Sequence, residues 1–177
     1  MAMSKWGFDP THSEVQFKVK HMMITNVTGT FKEVHVDAET EGDDFSKANI
    51  KFSAKVNSIS TNNEQRDGHL TSPEFFDAEK YPEISFVSSS IKKIDDDGNH
   101  EMEGDLTIKG ITNKVKLNVE QGGLGKDPWG NTKAGFTVTG KINREDFGLT
   151  WNAALETGGV LVSNEVKLNA EIQLVKQ

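Results

Sequence analysis

The chain contains no cysteine in its 177 residues. This absence excludes disulfide bonds, thiolate nucleophiles and cysteine-ligated metal sites. A fold of this length must therefore be held by an ordinary apolar core, and 177 residues suffice to bury one within a single domain.

The sequence also lacks any excess of positive charge and any long apolar run. Lys and Arg number 20 against 27 Asp and Glu, which gives a formal net charge of −7. Binding to a phosphate backbone needs a concentrated basic face, so we expect no nucleic-acid partner. Without a run long enough to cross a bilayer, we predict no transmembrane segment.

The first residues, Met1–Trp6, carry no apolar stretch that would resemble a secretory leader. We therefore interpret residues 1–5 as a disordered or vector-derived tail and residues 6–177 as one domain. The expected location is the cytoplasm. A secreted or periplasmic protein whose leader had been removed would present the same sequence.

Alternation of apolar and polar residues with a period of two dominates the rest of the chain. Val15, Phe17, Val19 and His21 alternate with charged or polar neighbours. The same pattern recurs in Ala48–Val56, Met102–Ile108, Val115–Val119, Ala134–Ile142 and Val166–Leu174. Two weaker strands are expected over residues 29–38, where a phase shift after Phe31 suggests a bulge, and 84–94.

The alternation predicts about eight strands, each with one buried and one solvent-exposed face, and therefore an all-β fold. A long sheet of this kind must pack into a sandwich or close on itself, and closure also removes exposed edges. We favour an eight-stranded antiparallel barrel. Short turns are expected at Asp95–Asn99 and at Gly110–Asn113, and another at Gly122–Gly125 with the following Asp127–Gly130.

Two stretches break the alternation. Residues 61–77 contain a capping residue and predict a short helical insertion, with Ser72–Phe76 as a second helical turn. Residues 144–164 are rich in Gly, Trp and Leu and too irregular for a strand. We expect both stretches to lie across the barrel openings.

Whether such a barrel is hollow or solid depends on the residues that point inward. Many of them are small: Ala48, Ala54, Gly104, Ala134, Gly140 and Ala170. Small residues leave volume unfilled, but they also suit the taper of a tightly packed barrel. The pattern by itself leaves both alternatives open.

Candidates for chemistry are few. The five histidines are scattered and none has the spacing of a zinc site, so we predict no metal and no cofactor. His21 is interpreted as a core or rim residue. The cluster Arg66-Asp67-Gly68-His69 suits helix capping or, alternatively, recognition of a polar headgroup. Since no Ser or Thr stands in a nucleophile elbow, we do not expect an enzyme.

Several motifs along the chain resemble a known family. They are Trp6–His21, Gly29–Phe31, Arg66–Leu70, Ser72–Ala78, Tyr81-Pro82, Gly104–Gly110, Trp129-Gly130 and Arg144–Gly148. Together they resemble the YceI-like family of lipid-binding proteins, in the family's order and across nearly the whole chain. Arg144 beside Asp146 in the last motif suggests an internal salt bridge.

The resemblance implies a lipocalin-like eight-stranded antiparallel barrel with a helical insertion around an elongated pore. It implies carriage or storage of a long-chain apolar ligand of the polyprenyl, isoprenoid quinone or fatty amide type, in a bacterial setting. The strand residues expected to hold the chain are Phe17, Val19, Phe52, Phe86, Leu106, Ile108, Phe136 and Val138. Phe76, Phe147, Trp151 and Leu155 would line or close the mouth, and His21, Arg66 and His69 would meet a polar head.

Two other functions remain as alternatives. One is a lipid-modifying isomerase or hydrolase that uses His21, Asp67 and His69. The other is a partner-binding module, for example in a stress response, which a solid interior would favour. A homodimer is compatible with the sequence, although no residue requires it.

Overall fold

The computed structural model describes residues 3–22, 24–152 and 161–177. Within them the chain forms strands, one α-helix and short 3-10 turns. The strands are β1 (Met3–Phe8), β2 (Glu14–His21), β3 (Thr25–Phe31), β4 (Val34–Glu41), β5 (Asp44–Lys55), β6 (Ile59–Ser60), β7 (Glu83–Lys93), β8 (Asn99–Ile108), β9 (Ile111–Lys126), β10 (Thr132–Asn143) and β11 (Glu165–Lys176). The helix α1 spans Glu64–Thr71.

These strands fill the eight positions of a closed antiparallel barrel. β1 with β2, β3 with β4, and β5 with β6 each share one position, because a short break divides each pair. From β7 to β11 each strand pairs with the next one along the chain. β11 then pairs with β2 and β1, where Phe8 lies opposite Leu174, and this closes the ring. The predicted fold class is confirmed.

The break in the first position has a local cause. Pro10 begins a 3-10 turn over Pro10–His12, and proline has no N–H to donate to a strand ladder. The side chain of Asp9 caps this turn by accepting from the backbone N–H of Thr11 at 3.1 Å. Met3 to Lys5, which we had assigned to a tail, form the first half of β1 and pair with Glu41, Thr40 and Glu39 of β4.

Other details differ from the sequence prediction. The phase shift after Phe31 marks a full break between β3 and β4. The turn between β8 and β9 consists of Lys109 and Gly110, both with positive φ, so that residues 111–113 already belong to β9. The glycine-rich segment 122–125 also lies inside β9, and the reversal falls at residues 127–131.

The insertion contains the expected short helix. Asn63 caps α1 by accepting from the backbone N–H of Arg66 at 3.0 Å. The residues that follow form consecutive turns instead of a second helical turn, with the amide of Asp77 bonded to the carbonyl of Ser72. These turns bury Phe75, Phe76 and Ala78 against the barrel.

Asp9 ties the first break to the rest of the barrel, which gives a pH-dependent prediction. Burial alone would raise the pKa of its carboxyl, but hydrogen bonds from Thr11 and His12 outweigh this and lower the pKa to about 2. The side-chain Nε2 of Gln173 in β11 donates to the same carboxylate at 3.0 Å. We expect Asp9→Asn to lower the free energy of unfolding by about 1–2 kcal/mol at neutral pH, because the neutral amide loses the charge-assisted hydrogen bonds from Thr11 and His12.

The pH dependence follows from the direction of that shift. A carboxyl whose folded-state pKa lies below its ordinary value of 3.8 stabilises the fold fully above that value and loses the contribution as the pH falls toward 2. Urea titrations of both proteins should therefore differ most above pH 5 and converge as the pH falls below 4. A difference that is constant from pH 6 to pH 3 would contradict this role for Asp9.

Candidate functional site

The barrel encloses an elongated cavity of about 260 Å³. Residues from every position of the ring contribute to its wall, and almost all of them are apolar. Four of the lining residues among those described are polar: Gln16, His100, Arg144 and Asn169. The interior of this barrel is therefore an apolar space and not a solid core.

β8 gives a measure of the cavity's length, because both His100 near its start and Ile108 at its end line the wall. Eight residue steps of a strand span about 27 Å, or roughly 20 Å along the axis of a barrel whose strands tilt by about 40°. One water-sized group needs roughly 10–15 Å³ of such a volume. The cavity therefore has room for on the order of twenty methylene-sized groups arranged along its length.

Small residues keep the middle of the cavity open. Val138 of β10 pairs with Ala170 of β11, and both line the wall. Between β7 and β8, the ring of Phe86 lies directly over Gly104, where a Cβ atom would come within 2.5 Å of the ring. The aromatic wall in β7 is thus possible only because β8 carries glycine at this position.

A second apolar cluster packs below the cavity, at the end of the barrel that contains β1. Phe45 lies between Trp6 and Phe136, with ring centroids 4.9 and 4.7 Å away. The indole N–H of Trp6 donates to the hydroxyl of Thr40 at 2.9 Å, so its one polar atom is satisfied where it is buried. Phe45 and Phe136 reach the cavity from this cluster.

The other end carries the helical insertion. Leu70, Phe75 and Phe76 from this insertion line the cavity. Phe76 contacts Phe31 with ring centroids 6.3 Å apart, which joins the insertion to the strand wall.

Beside Phe75 lies the half-buried ring of Trp151, and the imidazole of His69 contacts both rings edge-on. His69 also pairs with the carboxylate of Glu74. The aromatic rings and the imidazole thus form a packed layer on this side of the barrel.

Arg144 is the one strongly buried charged residue among those described, with 3% of its surface exposed. It does not form the salt bridge with Asp146 that we expected. Its guanidinium instead donates to three backbone carbonyls, those of Ser163 at 2.9 Å, Leu149 at 2.5 Å and Val162 at 3.4 Å. Burial lowers the pKa of Arg144, and the neighbouring Glu145 opposes this.

His100, one of the five scattered histidines, was not among the predicted ligand-binding residues. The residue is 8% exposed and lines the cavity. Its Nδ1 lies 2.9 Å from the carbonyl oxygen of Gly98, which can only accept, so Nδ1 carries the hydrogen. The period-two alternation could have identified both residues. In β8, His100 is in phase with the inward-facing Met102, Gly104 and Leu106. Arg144 is likewise in phase with Gly140 and Ile142 of β10.

The predicted ligand-binding residues fall into three groups. Nine of them line the cavity: Phe17, Val19, Phe52, Phe76, Phe86, Leu106, Ile108, Phe136 and Val138. Five lie outside its described wall: His21, Arg66, His69, Phe147 and Trp151. Leu155 lies outside the described residues. Direct contact of any of these residues with a ligand stays a prediction.

Like His69, the other four residues outside the wall have contacts of their own. His21 ends β2 and forms an isolated bridge with Val162. The exposed Arg66 donates to the hydroxyl and the carbonyl of Thr61. Phe147 is 1% exposed and belongs to the core cluster beneath the insertion, and Trp151 packs against the same cluster.

Two other features are absent from the part of the chain that the structure describes. No group of three or more His, Asp or Glu side chains in residues 3–22, 24–152 and 161–177 could hold a metal ion. No helix in this part of the chain is both long and apolar enough to cross a membrane.

Comparison with known proteins gives a consistent result. A family model described as YceI-like domain matches residues 6–174. A UPF0312 protein of Staphylococcus epidermidis is 41% identical over 174 residues, which cover 97% of each chain.

Solved structures agree with this match. The Campylobacter jejuni YCEI protein superposes with a TM-score of 0.78 at 33% identity, over 90% of this chain and 91% of that one. A polyisoprenoid binding domain from Saccharophagus degradans has a TM-score of 0.68 at 15% identity, over 100% of this chain and 99% of that one. At that identity the second likeness shows the fold alone.

The contact between Phe86 and Gly104 gives a testable prediction about the cavity wall. A Cβ at residue 104 would lie 2.5 Å both from the Phe86 ring and from the backbone oxygen of Val87. We expect Gly104→Ala to lower the free energy of unfolding by about 1–3 kcal/mol, as overpacking does elsewhere.

Gly68→Ala is the matched control, because nothing lies within 4 Å of the added methyl group in α1. There the same substitution should stabilise the protein by about 0.5–1 kcal/mol, since alanine loses less backbone entropy in a helix. Urea unfolding measures both changes. Equal effects at the two positions would show that the ring does not rest on Gly104.

Proposed function

This chain belongs to the YceI-like family, and on that premise we propose that it binds a long-chain amphiphile of the polyisoprenoid or isoprenoid-quinone type in its barrel cavity. The role would be carriage or storage. The observation that carries the proposal is the elongated apolar cavity, whose wall is formed by all eight positions of the ring. A ligand that matches this space is long, flexible and mostly hydrocarbon.

Simple energetics sets a minimum length for such a ligand. Each buried methylene contributes about 0.8 kcal/mol, so ten of them contribute roughly 8 kcal/mol before any cost. Association and ordering of the chain cost several kcal/mol or more. Tight binding therefore requires a chain that uses most of the room for about twenty groups, and short solutes should bind weakly.

The isoprenoid character of the ligand rests on one structural neighbour and not on the cavity itself. The YceI-like fold is shared with the polyisoprenoid binding domain of Saccharophagus degradans. The wall of this barrel combines aliphatic residues such as Val138 and Ile108 with the rings of Phe52 and Phe86. This surface suits a methyl-branched chain as well as a straight one. The cavity therefore supports a long apolar ligand in general, and the isoprenoid class of that ligand is part of the proposal.

Binding without chemistry is favoured over a lipid-modifying enzyme. The enzyme alternative would use His21, Asp67 and His69. The carboxylate of Asp67 accepts from the amide and the hydroxyl of Thr61, at 2.8 and 2.6 Å, and His69 is paired with Glu74. Groups engaged in this way, and placed outside the cavity wall, are poorly positioned to act on a bound chain.

The most direct experiment is to identify what the protein carries. Native mass spectrometry of the purified protein, before and after mild organic extraction, should reveal a long-chain lipid that is removed and then taken up again on reconstitution. Protein that neither copurifies with any long-chain lipid nor takes one up from solution would contradict the proposed function.

Affinity should depend on chain length in a regular way. Within a homologous series of alkyl ligands, we expect each additional methylene to strengthen binding by about fourfold, which is the equivalent of 0.8 kcal/mol. The increase should stop once the chain fills the cavity, at on the order of twenty groups. Displacement of a fluorescent lipid measures the series, and an affinity that does not change with length would count against enclosure of the chain.

Filling the cavity should abolish binding without unfolding the barrel. Ala170 lines the cavity in β11, and Ala170→Phe places a ring in its open middle. We expect at least a tenfold loss of affinity for a long-chain ligand.

Thr139→Phe is the matched control, because Thr139 is exposed and adjacent in sequence to the lining residue Val138. There the same ring lies on the outer surface and should leave affinity unchanged. Circular dichroism checks that both variants are folded. Unchanged binding by folded Ala170→Phe would place the ligand elsewhere.

A further inference from the structure

A buried positive charge lies at the wall of an otherwise apolar cavity. Arg144 is 97% buried and lines the cavity at the end of the barrel that carries the insertion. It directly follows β10, where Val138 and Ile142 also line the wall, and it continues their inward phase. A guanidinium at such a position is unusual, because burial of a charge without a counter-charge is unfavourable.

The hydrogen bonds of Arg144 satisfy only part of its capacity. A guanidinium carries five N–H donors, and three bonds run to the carbonyls of Ser163, Leu149 and Val162. Two N–H groups remain beyond these three bonds. Carbonyl oxygens also supply only partial negative charge, so the unit positive charge is not neutralised.

No acidic side chain completes the site in the part of the chain that the structure describes. Glu145 and Asp146 follow Arg144 directly, but both are exposed to solvent. None of the described ion pairs includes Arg144, although pairs occur elsewhere, for example between Lys141 and Glu165. Within the described residues, the charge of Arg144 therefore has no counter-charge.

A purely structural role does not require a charge here. Asn152 bridges the same region with a neutral amide, since it donates to the carbonyl of Val162 at 2.8 Å and accepts from its backbone N–H at 3.1 Å. A neutral amide at residue 144 could donate to two of the three carbonyls without the cost of a buried charge. The described contacts of Arg144 thus do not explain why the residue here is charged.

We propose that Arg144 is the seat for an anionic headgroup, so that the ligand of this barrel is an acidic amphiphile with a carboxylate or phosphate at one end. This inference rests on the proposed function and adds the headgroup to it. The two remaining N–H groups suit paired acceptor oxygens on one anion. The hydrocarbon chain would then extend along the cavity toward His100.

The test compares ligands of one chain length that differ only in the headgroup: palmitic acid, hexadecyl phosphate and hexadecanol. Competition against a fluorescent lipid, below the aggregation concentration of each compound, gives their relative affinities. We expect wild-type protein to prefer at least one of the two acids over the alcohol by tenfold or more. The acid that binds more tightly identifies the headgroup.

Variants assign that preference to one side chain. Arg144→Gln should reduce the preference to about onefold, whereas Arg144→Lys should keep part of it because the charge is retained. Lys141→Gln is the matched control: it removes one positive charge from the exposed face of β10 and should leave the preference unchanged. A structural effect would weaken the acid and the alcohol alike and would not change their ratio.

A second measurement does not depend on the stability of any variant. The chain has two arginines, Arg66 and Arg144, so their Nε–H signals in an NMR spectrum are readily assigned. Palmitate should shift the signal of Arg144 strongly, and hexadecanol should shift it little. The proposal is overturned if wild-type protein binds the acids and the alcohol equally, if folded Arg144→Gln keeps the preference, or if palmitate leaves the Arg144 signal unchanged. Failure of all three ligands to bind would instead overturn the proposed function.

Discussion

Closure of the sheet is the constraint on which the rest of the molecule depends. β11 must pair with β1 through Phe8 and Leu174 and with β2 through Val15 and Ala170. Once the ring is closed, the inner face of every strand is removed from water whether or not side chains fill the space inside. The interior can therefore hold a cavity, because the strand ladders satisfy the backbone hydrogen bonds independently of core packing.

The two ends of the barrel supply the packing that the middle lacks. At one end Phe45 packs between Trp6 and Phe136, and at the other Phe75 and Phe76 pack from the insertion against the barrel core. Between them, small residues such as Ala170 leave the walls apart. The packed ends of the barrel thus supply stability, and its open middle supplies the space for a ligand.

The sequence predicted the strands well because each obeys a simple local rule. Alternation placed Phe17, Phe86 and Phe136 on the inner face, and all three line the cavity. Turn positions were less predictable. The segment 122–125 contains three glycines and suggested a turn, yet it lies in β9, since the reversal depends on hydrogen bonds to Asp127 that occur several residues later.

The polar parts of the candidate site were the hardest to predict. Arg66 and His69 attracted attention because they stand together in the sequence, but each is held by a neighbour outside the cavity wall. His100 and Arg144 reach the wall because they occupy inward positions at strand ends. The alternation already marked these positions, but which contacts would satisfy a buried His or Arg depends on carbonyls as distant in sequence as that of Ser163.

An open apolar cavity also links the binding of a ligand to the stability of the fold. A void costs about 24 cal/mol for each Å³ in cavities made by mutation, so 260 Å³ corresponds to about 6 kcal/mol. This is comparable to the whole stability of a typical domain, 5–15 kcal/mol. A ligand that fills the space restores the missing contacts and stabilises the folded state by an amount that grows with its free concentration relative to its dissociation constant. The same small residues that make room for the ligand therefore make the barrel depend on it, and a protein of this design should be most stable when it is loaded.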